Sequence, residues 1–128
     1  MITTPKLVHW FEISVTDIVQ AAALYEAMLD TKLEHSVFEG IPHAVLSNPD
    51  RASLSGTLIA DPARPPTRGG GTVLYLRATD GVQRCVARAL EAGAKLVQPP
   101  TQIGPHGTIA LIEDLDGNVV GLHEEPRS

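Results

Sequence analysis

The sequence predicts an α+β protein built from two tandem βαβββ modules whose sheets curl together around a cleft. Three observations carry this expectation. The chain repeats itself at an offset of 63 residues: Val15-Thr16-Asp17 matches Ala78-Thr79-Asp80, Gln20 matches Gln83, and Lys32-Leu33 matches Lys95-Leu96. Each half holds one segment with a helical stripe among short strand-like runs. The halves, residues 5–62 and 71–125, are joined by Ala60–Gly71, where Pro62, Pro65, Pro66 and three consecutive glycines mark a linker. With 128 residues, 43% of them apolar and 20% charged, the chain reads as one domain able to bury a core without staples.

Taken in order, Leu7–Val15 reads as the first strand. Asp17 then offers a carboxylate to the free amides of a helix start, with Gln20 three residues on. From Ile18 to Leu29, the residues Ala21, Leu24, Tyr25, Met28 and Leu29 form a 3.6-period stripe. Strands follow at Lys32–Phe38, Pro42–Leu46 and Leu54–Ile59, separated by turns at Glu39-Gly40 and Asn48-Pro49-Asp50. The second half repeats the order. Thr72–Ala78 is a strand, Asp80 the expected N-cap, and Gly81–Ala92 a helix with its stripe at Val82, Val86, Ala89 and Leu90. Gly93 suits the residue after the helix. Strands Lys95–Gln98, Gly107–Ile112 and Val119–His123 follow, with a turn at Asp116-Gly117-Asn118.

Strand alternation sorts the side chains by face. His9, Phe11, Ile13 and Val15 belong under the first helix, and Leu74, Leu76 and Ala78 under the second. Trp10, Glu12 and Ser14 then face the cleft, as do Val73, Tyr75 and Arg77. On the last strand Val120 and Leu122 suit the core, which leaves Val119, Gly121 and His123 for the cleft.

Composition narrows the function. Ten basic against fifteen acidic residues give a net charge of −5, and the basic ones are scattered. A nucleic-acid partner, which needs clustered Lys and Arg, is not expected. The single cysteine, Cys85, excludes internal disulfides and reads as a small core residue on the second helix. The N-terminal residues show no apolar run of a secretory signal, and no run approaches a membrane span, so a cytoplasmic protein without a membrane partner is expected. Three motifs lead nowhere. Gly69-Gly70-Gly71 precedes a strand rather than opening a helix, so it is no phosphate loop. Asp114, Asp116, Asn118 and Glu125 have calcium-loop spacing but lack the glycine and the following helix, and read as a turn. Ser55-Gly56 lacks the preceding glycine of a nucleophile elbow.

Two stretches, Trp10-Phe11-Glu12-Ile13-Ser14-Val15-Thr16-Asp17 and Asp114-Leu115-Asp116-Gly117-Asn118-Val119-Val120-Gly121-Leu122-His123, with Ala23-Leu24-Tyr25 on the helix, resemble the vicinal oxygen chelate superfamily. This is the group of glyoxalase I, bleomycin-resistance proteins and extradiol dioxygenases, and the chain is most similar to its small single-domain glyoxalase-like members. The resemblance implies the two-module fold. It implies a homodimer, because similar members pair modules across a two-fold axis, and a short duplicated module leaves sheet edges to cover. It also implies four cleft-facing metal-ligand positions. Carried onto this chain they fall on Trp10, Val73, Gly121 and a residue at or near Gly56, none of which offers a side-chain ligand. No cofactor is therefore expected. The alternative is a divalent ion such as Zn, Ni, Mn or Fe on the off-pattern residues Glu12, His43 and His123.

Within the cleft, Glu12 and His123 are the candidates for proton transfer or polar anchoring. Trp10 and Tyr75 could stack on a planar ligand, while Ser14, His43 and Arg77 could contact it and Arg77 could supply charge. Structural readings stand beside these: Glu12 paired with Arg77, His123 at the rim, Trp10 and Tyr75 as plain packing. His9 reads as a partly buried core histidine, His35 as solvent-facing, and His106 as a loop residue that could edge the cleft. The resulting expectation is a glyoxalase-like protein that binds a small organic molecule in the cleft without the family's metal. The alternatives are a metal-dependent lyase or dioxygenase and a protein that sequesters a drug or toxin.

Overall fold

In the computed structural model, which describes residues 7–47 and 55–126, the elements follow the order βαβββ twice. Strand β1 is Trp10–Ser14, and helix α1 spans Ile18–Leu29 as its stripe predicts. The Asp17 carboxylate accepts from the backbone amides of Val19 and Gln20 at 3.0 and 3.1 Å, so the helix starts where the cap stands. Strands β2 (Glu34–Phe38), β3 (Ile41–Leu46) and β4 (Ser55–Ile59) complete the first sheet, in the order β1-β4-β3-β2. The second half gives β5 (Gly69–Arg77), α2 (Val82–Glu91), β6 (Lys95–Gln102), β7 (Thr108–Glu113) and β8 (Asn118–Glu124), in the order β5-β8-β7-β6. No helix of the described residues is long and apolar enough to cross a membrane.

Strands β1 and β5 run parallel to β4 and β8, and each lies at the edge of its own sheet. The two sheets are thus not closed on one another by strand pairing. What joins the modules is a shared core. Ile13, Ala44 and Leu58 from the first sheet, Ala110, Ile112 and Leu122 from the second, and Leu24, Met28, Val86 and Ala89 from the helices form one buried cluster. Both helix-covered faces meet there, so the other face of each sheet points away from the core.

A polar hub fixes the modules to one another. Asp114, buried in the turn between β7 and β8, accepts four hydrogen bonds. Its Oδ1 takes the amides of Asp116 and Asn118, both at 2.9 Å. Its Oδ2 takes the Tyr25 hydroxyl at 2.7 Å and Asn118 Nδ2 at 2.9 Å. From the same turn, Asn118 donates to the Ser14 carbonyl and Asp116 accepts from the Thr16 amide, both at 3.0 Å. The acidic turn therefore binds the β1–α1 junction of the other module.

The repeat misleads at the second helix. Asp80 does not cap α2; the N-cap is Gly81, with φ 103° and no side-chain bond. Arg88 claims Asp80 instead, through two hydrogen bonds of 2.8 Å. Glu124, at the end of β8, accepts from the free Val82 amide at 3.0 Å. Arg88 also donates to the carbonyls of Ala27 and Met28 at 2.7 and 3.0 Å, and so ties α2 to the last turn of α1.

Four further expectations are corrected. His9 lies before β1 and is exposed, since β1 starts only at Trp10. Strand β5 begins at Gly69, so the last part of the expected linker is sheet. Strand β6 runs through Pro99 and Pro100 to Gln102; it is an edge strand whose pairing shifts register twice, which accommodates residues without an amide donor. Leu90 is exposed although it was placed on the stripe of α2. Cys85 is buried in the core as expected, and burial pushes its thiol up to about 11, which keeps it protonated. The Asn48-Pro49-Asp50 turn lies outside the described residues.

Two glycines let aromatic rings lie on strand backbone: Phe11 covers Gly56 across the β1–β4 pair, and Tyr75 covers Gly121 across β5–β8. A Cβ at either position would overlap the ring. Gly56→Ala should therefore destabilise the protein by about 1–3 kcal/mol, the usual range for overpacking. A urea midpoint unchanged from wild type would show that the Phe11 ring moves aside freely.

Candidate functional site

The outward face of the first sheet carries the expected set. Cross-strand partners share a face, and the register places Glu12, Thr57, Val45 and Glu34 in one row. Ser14, Ile59, His43 and Ser36 form the next row. Trp10 stands on β1 beside Glu12 and is 48% exposed. Its indole Nε1 donates to Glu12 Oε2 at 3.4 Å. Alternation thus brought Trp10, Glu12, Ser14 and His43 to one face, as the sequence predicts.

The cation beside Glu12 is not Arg77. Arg64 reaches it from the connection between the modules, with Nη1 at 2.8 Å from Glu12 Oε1. Arg77 pairs with Glu125 at 3.2 Å on the other sheet. Arg64 is held by a short turn: the Asp61 carboxylate accepts from the Ala63 amide at 3.0 Å, the Arg64 amide donates to the Asp61 carbonyl at 3.0 Å, and Arg64 Nε lies 3.4 Å from Asp61 Oδ2. Glu12 keeps 31% of its side chain exposed and Arg64 56%, so the pair is open to water. The sequence alone gives Arg64 no role, because Ala60–Gly71 reads as a linker. The signal was present in Asp61-Pro62-Ala63-Arg64, an aspartate–proline turn opener that sets the arginine three residues on.

The second sheet carries Tyr75, Arg77 and His123 on its outward face, where Tyr75 pairs with Gly121 and Arg77 with His123. Tyr75 is 45% exposed. His123 Nε2 donates to the His106 carbonyl at 2.7 Å, which ties it to the short turn Gly104–His106 and, among the described residues, leaves Nδ1 without a partner. His43 Nδ1 donates to the Ile41 carbonyl at 2.9 Å, and among the described residues Nε2 has no partner. Among the described residues, no hydrogen bond or ion pair joins the side chains of the Trp10–Glu12 set to those of the Tyr75–His123 set. Phe38, at the end of β2, is a further exposed aromatic that alternation places on the same face as Ser36 and Glu34. The expectation for β2 drew attention to its turn and not to this ring.

The register also narrows one ligand position. Glu12 pairs with Thr57 as Tyr75 pairs with Gly121, so the position expected at or near Gly56 falls on Thr57. Thr57 is fully buried and its hydroxyl donates to the Leu58 carbonyl at 2.8 Å. Trp10, Thr57, Val73 and Gly121 together do not provide the converging N, O or S donors a divalent ion requires. Glu12, His43 and His123 are each engaged separately. Among the described residues, no group of three His, Cys, Asp or Glu side chains is placed to hold a metal. A groove of about 910 Å³ lies elsewhere, at the start of α2, lined by Asp80, Gln83, Arg84, Gln102 and Thr108. It includes none of the expected site residues.

Comparison with known proteins adds the context for this geometry. The family model of the Glyoxalase/Bleomycin resistance protein/Dioxygenase superfamily matches residues 7–122. Among solved structures, a glyoxalase/bleomycin resistance protein from Albidiferax ferrireducens T118 is similar in fold, with TM-score 0.74 and 18% identity over 94% of this chain and all (100%) of that one. TnmS3, an antibiotic binding protein from Streptomyces sp. CB03234, is 29% identical over 96% of this chain and 98% of its own, with TM-score 0.66. A glyoxalase/bleomycin resistance protein from the same Streptomyces is 30% identical over 90% of this chain and 97% of its own, with TM-score 0.64. No curated protein matches the chain.

Proposed function

Because the chain belongs to the Glyoxalase/Bleomycin resistance protein/Dioxygenase superfamily, whose model spans residues 7–122, we propose that it binds a small organic molecule on the outward face of the first sheet without the family's metal. The observation that carries this reading is the exposed Trp10 indole beside the Glu12 carboxylate, at the β1 edge of the sheet face opposite the helices. The indole supplies a flat apolar surface and Glu12 a fixed polar anchor. Ser14 lies next to them, and His43 offers a ring nitrogen that could move a proton. The donor set at the four family positions supports a site that works without a metal. The likeness to TnmS3, which is named an antibiotic binding protein, supports binding and sequestration over turnover.

The face is half of a cleft, and the other half comes from a second copy. Tyr75, Arg77 and His123 line the outward face of the second sheet, with no side-chain link to the first set among the described residues. A homodimer that sets one copy's first sheet against its partner's second sheet would bring the two sets together. Sedimentation of a concentrated sample should give twice the single-chain mass of 13.6 kDa; a species of one chain mass at every concentration would contradict the dimer.

The ligand test uses the only tryptophan in the chain, Trp10, as reporter. A screen of planar organic compounds should yield hits that quench its fluorescence. Glu12→Gln should weaken those hits about tenfold while changing stability by less than about 1 kcal/mol, because exposed ion pairs such as Glu12–Arg64 contribute little. A large stability loss with unchanged affinity per folded molecule would make Glu12 a structural residue.

A further inference from the structure

We infer that the ligand bound at Trp10 and Glu12 is a planar aromatic cation, whose charge takes the place of the Arg64 guanidinium on Glu12. The inference rests on the binding reading above and adds the chemical class.

The argument starts from what occupies the carboxylate. Glu12 sits on a strand, held at Oε2 by the Trp10 indole at 3.4 Å, while Oε1 faces the guanidinium at 2.8 Å. The guanidinium is itself a flat, delocalised cation, delivered from outside the sheet on a side chain that is 56% exposed. Arg64 has a second carboxylate in Asp61, which stays with it when it leaves Glu12. The parting costs little, since the pair is exposed and water screens it. An incoming amidinium or guanidinium can make the same charge-assisted contact with Glu12 Oε1. Its ring can at the same time lie on Trp10, which adds stacking to the charge contact.

The charge balance points the same way. Glu12 and Asp61 outnumber Arg64 by one negative charge, and Glu34 lies in the same row as Glu12 on this face. An anionic ligand would meet Glu12 beside an Arg64 whose charge the two carboxylates Glu12 and Asp61 already offset. A neutral one would leave the pair in place and lose the carboxylate as an anchor.

Three probes with one ring system separate the possibilities: 2-naphthamidine, 2-naphthamide and 2-naphthoate, which carry a positive, zero and negative charge at neutral pH. Calorimetry on the full chain should show 2-naphthamidine binding about tenfold or more tighter than the amide and the carboxylate weakest. Arg64→Ala should tighten the amidine about two- to fivefold by removing its competitor, and Glu12→Gln should erase the preference for positive charge. Tighter binding of the naphthoate or equal binding of all three would overturn the inference while leaving the binding reading intact. So would weaker amidine binding in Arg64→Ala. If none of the probes binds at millimolar concentration, the inference and the reading beneath it both fail.

Discussion

Asp114→Ala is expected to cost about 3–5 kcal/mol, a large part of the 5–15 kcal/mol that holds a domain of this kind together. The carboxylate lies buried in the β7–β8 turn and accepts from Tyr25, Asn118 twice, and Asp116. Alanine would strand all these donors at once, and a buried donor left unpaired is costly. The loss would fall on the link between modules, because the same turn holds the Ser14 carbonyl and the Thr16 amide. Tyr25→Phe is the control. It removes one donor of the four and should cost about 1–2 kcal/mol. The Tyr25 phenol stays a donor at all ordinary pH, since burial first and the Asp114 charge second raise its pKa well above 10.0. Urea denaturation measures both variants. An Asp114→Ala loss below that of Tyr25→Phe would mean that the turn is not the hub.

The second large effect is expected at Arg88. Arg88→Met keeps the length and helix propensity of the side chain but removes five hydrogen bonds, two to Asp80, two to the end of α1 and a long one to Cys85 Sγ. A loss of about 2–3 kcal/mol at neutral pH follows, since the bonds are charge-assisted and part-buried. The effect should depend on pH in a stated direction. Hydrogen bonds from Arg88 hold the Asp80 pKa at about 2, below the ordinary 3.8. A carboxylate depressed in the folded state stabilises the protein fully above its unfolded value, and the contribution fades as pH falls from about 3.8 towards about 2. The gap between wild type and Arg88→Met should therefore shrink across that window. A gap that stayed constant down to pH 2 would show that Asp80 is not the partner that matters.

What could be read in the sequence divides along a physical line. Helix α1 was legible to the residue, because Asp17 caps it locally and nothing distant competes for that carboxylate. The same motif at Asp80 failed, because Arg88, far along α2, takes the carboxylate and Glu124 from another strand takes over at the helix start. Alternation along β1 placed Trp10, Glu12 and Ser14 on one face correctly, since a period of two needs no knowledge of neighbours. It could not place His9, because where a strand begins depends on its pairing with β4. Register between β1 and β4 was equally hidden, and that is why Thr57 rather than Gly56 holds the position across from Glu12. Partners of the charged residues were least legible of all. Arg77 and Arg64 are both within the reach of chain geometry from Glu12 as far as sequence can tell, and only the folded turn at Asp61 decides for Arg64.

The central claim is that a small molecule binds on the outward face of the first sheet at Trp10 and Glu12. Its most direct test is a titration of ¹⁵N-labelled protein with the best planar hit, followed residue by residue in amide and indole spectra. The account predicts that the Trp10 indole signal and the amides of Glu12, Thr57 and His43 shift together and saturate with one affinity. Shifts confined to the start of α2, at Gln83 and Arg84 beside the other groove, with Trp10 unmoved, would contradict it.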